Sequence, residues 1–233
     1  GTVHLNGNTL NGPTLAVGPG GKIIVDGNTY FSNAGRFVVM AGGTIESTNG
    51  AAFSANNGAP CYNAGTINMP TSVLNVNGSD FYNCGTVNVD MLRNTSGGLI
   101  TNFGHVTART NMGTADAYNC TFVNGCYMHY TENAGIGHLT MLKNSRIDVD
   151  GTCEFNQSWQ SLDVQTATPY DLQSATIASP NILMANSVVN VGTAYVTNTV
   201  FQGPSAANEV AIVKMGKVQV GNGTDIMQRQ NCY

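Results

Sequence analysis

The sequence predicts an all-β fold of one kind, a single-stranded right-handed parallel β-helix of roughly ten coils. Three observations favour it: a repeat of about 20 residues, short runs rich in Val and Ile, and Asn-Gly turn signals between those runs. Helical periodicity is almost absent. At about 4.8 Å per coil, the predicted rod would be roughly 45–50 Å long.

The repeat is clearest in three segments. Tyr62-Asn-Ala-Gly-Thr-Ile, Tyr82-Asn-Cys-Gly-Thr-Val and Thr101-Asn-Phe-Gly-His-Val place an Asn at steps of 20 and 19 residues. More widely spaced copies are centred on Asn33 and Asn133. Asn-Gly pairs also favour hairpins, but every copy runs in one order (turn, Gly, strand), which favours parallel stacking. Equivalent Asn side chains would then bond to one another along the stack.

The chain is predicted to form one β-helix domain over residues 1–233, with an excursion at about 154–181. That segment lacks the repeat and contains the only Trp and a stretch rich in Gln and Ser. Insertions of this kind leave a solenoid on one face, which is often its binding face. The first few residues and the last dozen are expected to cap the strand edges at the two ends.

Composition excludes several classes of partner. Only 9% of the residues are charged, against roughly 25% in an average domain, while Asn and Thr number 29 and 25. The net charge of -4 and the scattered basic residues give no surface for nucleic acid. No apolar run approaches the roughly 20 residues of a transmembrane segment. The start at Gly1 fits an exported, processed protein or a cloning scar.

The six cysteines form no Cys-x-x-Cys pair, so a zinc ribbon or a redox motif is not predicted. An even number would permit disulfides in an oxidising compartment. The simpler interpretation is that the cysteines fill the interiors of the repeats, because free Cys is among the most buried residue types.

The densest acidic cluster is Asp148, Asp150 and Glu154. Alternation along a strand points Asp148 and Asp150, together with Arg146, to one face. With Asp163, this cluster could serve a β-helix polysaccharide lyase or glycoside hydrolase. Calcium needs six to eight oxygen ligands, so the sequence predicts a solvated face rather than a metal site or a cofactor. No established catalytic motif is present, and no catalytic residue is assigned.

Aromatic residues fall into two groups. One group recurs beside the repeat Asn: Phe31, Tyr62, Tyr82 and Phe103. We expect this group to pack in the interior or along the flank, with a sugar-stacking strip as the alternative. The other group lies off the regular motif and is predicted to bind the ligand: Tyr127, Tyr130, Trp159 and Tyr170.

A family resemblance rests on three segments: Phe31-Ser-Asn-Ala-Gly-Arg-Phe-Val-Val-Met, Tyr62-Asn-Ala-Gly-Thr-Ile-Asn-Met and Met141-Leu-Lys-Asn-Ser-Arg-Ile-Asp-Val. In these segments, and over most of its length, the chain resembles the β-helical part of bacterial cell-surface, adhesin-like proteins of the LruC-domain type. The resemblance implies an exported, surface-associated, right-handed β-helix with no established catalytic residues. It also implies that the full product carries further regions.

These observations predict an exported surface rod that acts in adhesion or glycan binding without catalysis. Its partner would be a polysaccharide, a cell-surface glycan or a protein. The alternatives are a β-helix polysaccharide-degrading enzyme and a purely structural spacer. A compact cluster of outward carboxylates would favour the enzyme, and an exposed aromatic strip without acids would favour binding. A surface with neither feature would favour the spacer.

Overall fold

A computed structural model describes the backbone of residues 1–56, 59–94, 98–110, 121–135, 138–141, 145–155, 161–164, 175–178, 181–184, 188–197, 200–202, 212–220 and 225–227. Side chains are described for residues 1–56, 59–94, 98–110, 122–135 and 145–151. Among the described residues, no helix is long and apolar enough to span a membrane.

The regular structure is entirely β in these ranges. The first strands are β1 Thr2–Asn6, β2 Thr9–Asn11, β3 Thr14–Val17, β4 Lys22–Gly27, β5 Thr29–Ser32, β6 Arg36–Val39, β7 Thr44–Glu46, β8 Phe53–Ala55, β9 Cys61–Asn63, β10 Thr66–Asn75, β11 Phe81–Asn83, β12 Thr86–Arg93, β13 Leu99–Asn102 and β14 His105–Thr110. The later strands are β15 Thr121–Asn124, β16 Tyr127–Tyr130, β17 Ala134–Gly135, β18 His138–Met141, β19 Ser145–Val149, β20 Thr152–Phe155, β21 Ser161–Val164, β22 Ala175–Ala178, β23 Asn181–Met184, β24 Val188–Thr197, β25 Val200–Gln202, β26 Ile212–Val220 and β27 Asp225–Met227.

The strands stack in parallel, which confirms the predicted parallel β-helix. Each of the first strands pairs with the strand three further along, as in β1–β4–β7, β2–β5–β8 and β3–β6–β9. A coil therefore contains three strands, and the rod has three sheet faces. β10 bends around one corner, since its first part pairs with β7 and its last part with β8.

The coil period is 19 to 22 residues along the column that begins at Thr2 and passes through Lys22, Thr44 and Thr66 to Arg146. Seven coil steps separate Thr2 from Arg146 in this column, and roughly ten coils are predicted for the whole chain. The first residues form a rung of the stack, because β1 pairs residue by residue with β4. Two strands inside the predicted excursion, β21 and β22, pair in parallel with β18 and β19 and so continue the stack.

The interior is filled by the alternate, inward-pointing residues of each strand. One aromatic cluster joins Phe31, Phe37, Phe53 and Phe81, whose neighbouring ring centroids lie 5.1–6.1 Å apart. All four rings are fully buried. Complete burial of one such side chain contributes about 1.5–3 kcal/mol, so the stacked apolar columns supply the main stabilisation of the rod.

A buried chain of amides runs along one corner and confirms the predicted Asn ladder. The side-chain nitrogen of Asn63 donates to Oδ1 of Asn83, that of Asn83 to Asn102 and that of Asn102 to Asn124, at 2.8, 2.8 and 2.9 Å. Each Oδ1 also accepts from the backbone N–H two residues further on, for example Gly65. The four side chains form the amide ladder, in which each rung closes its own turn and binds the next coil.

Two predicted members do not belong to the amide ladder. Asn33 is exposed at φ +50° and donates to Asn11 on the outside of the rod. The position below Asn63 in the preceding coil, where a further ladder Asn would lie, is occupied by Val39. Asn133 is exposed as well. The ladder instead extends to Asn124, which is followed by Gly-Cys rather than by x-Gly.

The Gly of the repeat is required by close packing of the backbone. A Cβ placed on Gly85 would collide with the carbonyl oxygen of Gly65, and one on Gly104 with that of Gly85. The same oxygens accept hydrogen bonds from the residues that start the next strands, Thr86 and His105, at 2.9 Å in both cases. The Asn and the Gly therefore have separate tasks, since the amide closes the corner and the glycine lets the coils touch.

Candidate functional site

The aromatic residues beside the amide ladder lie outside the rod. In β9 and β11 the flanking residues Cys61, Asn63, Phe81 and Asn83 point inward, so Tyr62 and Tyr82 must point outward. The two tyrosines are directly paired in register. Their rings stack at a centroid distance of 5.2 Å with only 13° between the ring planes.

This pair is the centre of an exposed apolar surface. Met40, Tyr62 and Phe103 are 47%, 43% and 53% exposed. The backbone N–H of Cys84 bonds to the carbonyl of Asn63, and that of Phe103 to Asn83, which sets Ala64, Cys84 and Phe103 on successive coils. We name this surface the tyrosine strip; its residues are Val38, Met40, Ala41, Tyr62, Ala64, Tyr82, Cys84 and Phe103. It predominantly carries carbon and sulfur atoms into solvent.

A shallow hollow of about 310 Å³ opens within the tyrosine strip. Its lining is Val38, Val39, Met40, Ala41, Tyr62, Asn63, Ala64, Tyr82 and Cys84. One face of the Tyr62 ring is covered by Tyr82, and its other face is turned toward Val38, the shorter side chain one coil earlier. A flat ligand could therefore lie against the free face of Tyr62 without displacing protein atoms.

One carboxylate lies at the edge of the tyrosine strip, outside the lining of the hollow. Asp80 accepts a hydrogen bond from the backbone N–H of Leu99 at 3.1 Å and is also bonded to the Tyr82 hydroxyl. Desolvation, followed by the negative charge of Asp80, raises the pKa of the Tyr82 phenol. The hydroxyl therefore remains protonated at neutral pH and acts as a donor.

A different sheet face carries a charged network that includes several predicted site residues. Arg109 bridges three coils, since it donates to Asp90 at 2.7 Å and to Glu132 at 2.7 Å. Asp148 forms an ion pair with Arg146 at 2.7 Å, and its Oδ2 accepts hydrogen bonds from Nε of Arg146 and from the hydroxyl of Tyr127, both at 3.0 Å. The charged face, as we call it, also contains His105, His129 and Asp150, with His129 Nε2 3.1 Å from the Asp150 carboxylate.

The predicted outward orientation of Asp148 and Asp150 is confirmed, and Arg146 lies beside them. Their chemistry is nevertheless that of ion pairs. The Asp148 carboxylate raises the pKa of the Arg146 guanidinium through a hydrogen bond. Desolvation and the hydrogen bond to Asp148 raise the pKa of Tyr127, so Tyr127 is held as a phenol rather than as a base. Among the described side chains, no group of three or more His, Cys, Asp or Glu could hold a metal ion.

The remaining predicted residues are found in different places. Tyr127 is half-buried on the charged face, whereas Tyr130 lies fully buried in the core, because it has the same strand parity as Met128. Trp159 and Tyr170 lie outside the described residues. For Glu154 and Asp163 the structure describes the backbone alone, in β20 and β21. The predicted ligand-binding group therefore does not form one site within the described part of the chain.

The cysteines follow the prediction in part. Cys61 is buried in the core, and desolvation raises the pKa of its thiol to about 11. Cys84 is exposed on the tyrosine strip, and Cys126 is half-buried; both are free thiols. Strand alternation accounts for the difference between Cys61 and Cys84, because Cys61 has the inward parity of Asn63.

Comparison with protein-family models, with curated proteins and with solved structures finds no match to this chain. The resemblance to LruC-type adhesin-like proteins thus stays a prediction. The geometry of the tyrosine strip and of the charged face is the basis for a functional assignment.

Proposed function

We propose that this chain is the rod of an exported, cell-surface protein that binds glycans through the tyrosine strip and does not catalyse their cleavage. The observation that carries the proposal is the exposed Tyr62–Tyr82 stack beside a hollow with no carboxylate in its lining. An aromatic surface whose hollow has no acid in its lining is the pattern expected of a binding site; the one carboxylate at its edge, Asp80, is engaged by Leu99 and Tyr82.

The physical basis is the match between aromatic rings and sugar rings. A pyranose has faces of C–H groups and an edge of hydroxyls, so it loses little when one C–H face leaves water for an aromatic surface. Tyrosine offers such a surface with a polar tip that stays wet. Contiguous exposed apolar surface is uncommon on soluble proteins and marks interaction sites. Tyr82 adds a hydroxyl at the rim; its proton is directed to Asp80, so its oxygen is left to accept a hydrogen bond from a sugar hydroxyl.

The charged face supports binding over catalysis. A retaining or inverting glycosidase needs two carboxyl groups, one free to donate a proton and one free to attack or to activate water. Asp148 is held by Arg146 and Tyr127, and Asp150 faces His129. Both carboxylates therefore have charged or hydrogen-bonding partners in place of a substrate.

The elongated form supports a role in adhesion. A rigid parallel stack holds Tyr62, Tyr82 and Phe103 on three successive coils. Consecutive coils are about 4.8 Å apart, close to the length of one sugar residue in an extended chain. Several weak contacts along one polymer raise the overall affinity without strong binding at any one position.

The experiment is native affinity electrophoresis of the purified chain in gels that contain plant, mucin or bacterial polysaccharides. We expect retardation in at least one gel and its loss in Tyr62→Ala. The matched control is Tyr30→Ala, because Tyr30 is 38% exposed on β5, in a different sheet face. Retardation that persists in Tyr62→Ala would show that the tyrosine strip is not the binding site.

The same mixtures are assayed for new reducing ends and for unsaturated uronates. We expect neither product to form. Either product, formed by the unmodified chain and lost in Asp148→Asn, would replace the binding proposal with a polysaccharide-degrading enzyme. Absence of both retardation and products across the panel would contradict glycan binding.

A further inference from the structure

The chemistry of the residues that line the hollow beside Tyr62 indicates which class of sugar it would accept. We propose that it receives the methyl group of a 6-deoxyhexose residue, whose ring lies against Tyr62. This inference rests on the proposed function and narrows it from glycans in general to glycans that contain 6-deoxy sugars. It follows from the chemistry of the lining, in which apolar groups surround a space with few free hydrogen-bonding partners.

The one amide side chain in the lining, Asn63, is already engaged. Its Nδ2 donates to Asn83 at 2.8 Å and to the carbonyl of Thr86 at 3.2 Å, and its Oδ1 accepts from Gly65 at 3.1 Å. Asn63 is also buried at 2% exposure. A ligand acceptor in the hollow could not bond to Nδ2 of Asn63 without breaking the amide ladder, and the second lone pair of its Oδ1 is buried with the rest of the side chain.

The backbone donors around the hollow are engaged as well. The N–H of Met40 bonds to Val17, that of Ala64 to Val39 and that of Cys84 to Asn63, at 2.9, 2.7 and 2.7 Å. The carbonyl of Met40 accepts from Gly43 at 2.9 Å. The corner that forms the floor and wall of the hollow thus presents methyl, methylene and sulfur groups from Met40, Ala64 and Cys84.

The volume of the hollow and the lack of charged residues in its lining further restrict which ligand it could hold. A volume of about 310 Å³ lies at the low end of small-molecule sites and is suited to one ring rather than to a helix or a strand. No Lys, Arg, Asp or Glu belongs to the lining, so the hollow offers no counter-charge to a uronate, a sialate or a sulfated sugar. An uncharged ring with an apolar substituent is complementary to these surroundings.

The sixth carbon of a hexose is the position that differs between the candidates. A 6-hydroxymethyl group placed against Met40 and Ala64 would lose its water and find no partner there, whereas a methyl group would lose nothing. Selection of this kind in an apolar pocket amounts to roughly tenfold or somewhat more. We therefore expect 6-deoxy sugars to bind about tenfold more tightly than their 6-hydroxy counterparts.

The test uses matched pairs of monosaccharides displayed on an inert polymer: L-fucose with L-galactose, L-rhamnose with L-mannose, and D-quinovose with D-glucose. The members of each pair differ by one hydroxyl, and binding to the purified chain is measured by biolayer interferometry. We expect at least one pair to show a preference of about tenfold for the 6-deoxy member. We also expect that binding to be lost in Tyr62→Ala and retained in Tyr30→Ala.

A second variant tests the wall of the hollow. Met40→Gln keeps the length of the side chain and supplies an amide, so the preference within the binding pair should fall below about threefold. Met91→Gln is the matched control on β12, away from the hollow, and should retain the full preference. Circular dichroism and thermal melts verify that both variants keep the fold.

The outcomes separate the two proposals. Equal binding of both members in every pair, with dependence on Tyr62, would overturn the 6-deoxy assignment and leave glycan binding in place. A preference unchanged by Met40→Gln would also overturn it, because the methyl group would then be recognised elsewhere. No binding to these sugars, combined with no retardation by any polysaccharide, would overturn both proposals.

Discussion

The amide ladder and the ion pairs of the charged face connect the same successive coils, but they differ in their access to water. Both bridge neighbouring rungs at similar distances, 2.8–2.9 Å between amides and 2.7 Å from Arg109 to Asp90 and Glu132. The amides have at most 2% of their surface exposed, whereas the side chain of Arg109 is 44% exposed. Distance alone would rank the two networks as equals.

Burial makes the amide ladder the stronger of the two networks. An exposed ion pair replaces good hydration with an attraction that water and salt screen, so its net contribution is about 0–1 kcal/mol. A buried amide that loses its partner cannot recover a hydrogen bond from water and costs about 1–3 kcal/mol. We therefore infer that the uncharged interior chain, and not the charged exterior one, fixes the register of the coils.

The largest effect is expected when a charge enters the amide ladder. Asn83→Asp removes the donor to Asn102 and places a carboxylate where exposure is 0%. We expect the free energy of unfolding at pH 7 to fall by about 3–5 kcal/mol, in urea titrations followed by circular dichroism. Burial raises the pKa of the new carboxyl, so the loss should be small below about pH 4 and should grow as the pH rises.

Asn88→Asp is the matched control, because Asn88 bonds to Asn68 at 2.9 Å in an exposed amide pair. It should cost less than about 0.5 kcal/mol at pH 7. Equal losses in the two variants would show that burial does not distinguish the two amide pairs.

A smaller effect is expected when an amide is removed without adding charge. Asn102→Ala leaves Asn83 without its acceptor and Asn124 without its donor. We expect a loss of about 2–3 kcal/mol from the unsatisfied amides, measured in the same titrations. Asn68→Ala, on the exposed pair, should change stability by less than about 0.5 kcal/mol; a loss close to that of Asn102→Ala would argue against the ladder as the stabilising element.

A smaller effect still is expected from the ion pairs. Arg109→Gln removes the guanidinium that Asp90 and Glu132 share as a partner in this network. The loss should stay below about 1 kcal/mol and should shrink further in 0.5 M NaCl, because salt screens exposed charges. A loss above about 2 kcal/mol that persists in high salt would show that these ion pairs stabilise the fold more than exposed ion pairs do.

Two of the three described thiols beside the amide ladder, Cys61 and Cys84, offer a probe that leaves stability unchanged. At pH 8 we expect iodoacetamide to modify Cys84 on the tyrosine strip and to spare Cys61, which is buried and whose thiol has its pKa raised to about 11. Peptide mass mapping with and without urea measures both. Modification of Cys61 in the folded chain, at a rate near that of Cys84, would contradict the described packing of the corner.

Much of this fold was predictable because the repeat has a physical cause. Asn63, Asn83 and Asn102 recur at a nearly constant step because each must meet the next amide, and Gly65 and Gly85 recur because the backbones touch. The sequence therefore predicted the parallel stack and its amide ladder.

The local motif does not determine which Asn side chains belong to the amide ladder, because membership also depends on the register of the coils. Asn33 and Asn133 have the right neighbours but lie outside the ladder, while Asn124 belongs to it with a different following sequence. Register depends on how each coil's loops are spaced, and the coil period itself varies from 19 to 22 residues. Local sequence does not set that quantity.

The site was harder to predict, because exposure depends on strand parity as well as on motif. Strand parity alone places Tyr62 and Tyr82 outside and Tyr130 inside. Position relative to the repeat motif had favoured Tyr130, and not Tyr62 or Tyr82, as a ligand-binding residue. The hollow itself arises from a short Val38 meeting a long Tyr62 one coil later. That contact joins residues 24 apart in the sequence, so it can be predicted only when the register of the coils is known.

The column of touching glycines gives the rod a fixed unit of growth. Since Gly65, Gly85 and Gly104 sit directly on one another, the chain can change length only by whole turns or at the other corners of the prism. Duplication of residues 62–81 would insert one complete turn, lengthen the rod by about 4.8 Å and place a third tyrosine in the row. Each added turn would therefore increase the length of the rod and the number of stacked tyrosines together, and under the proposed function it would also add one contact for the ligand.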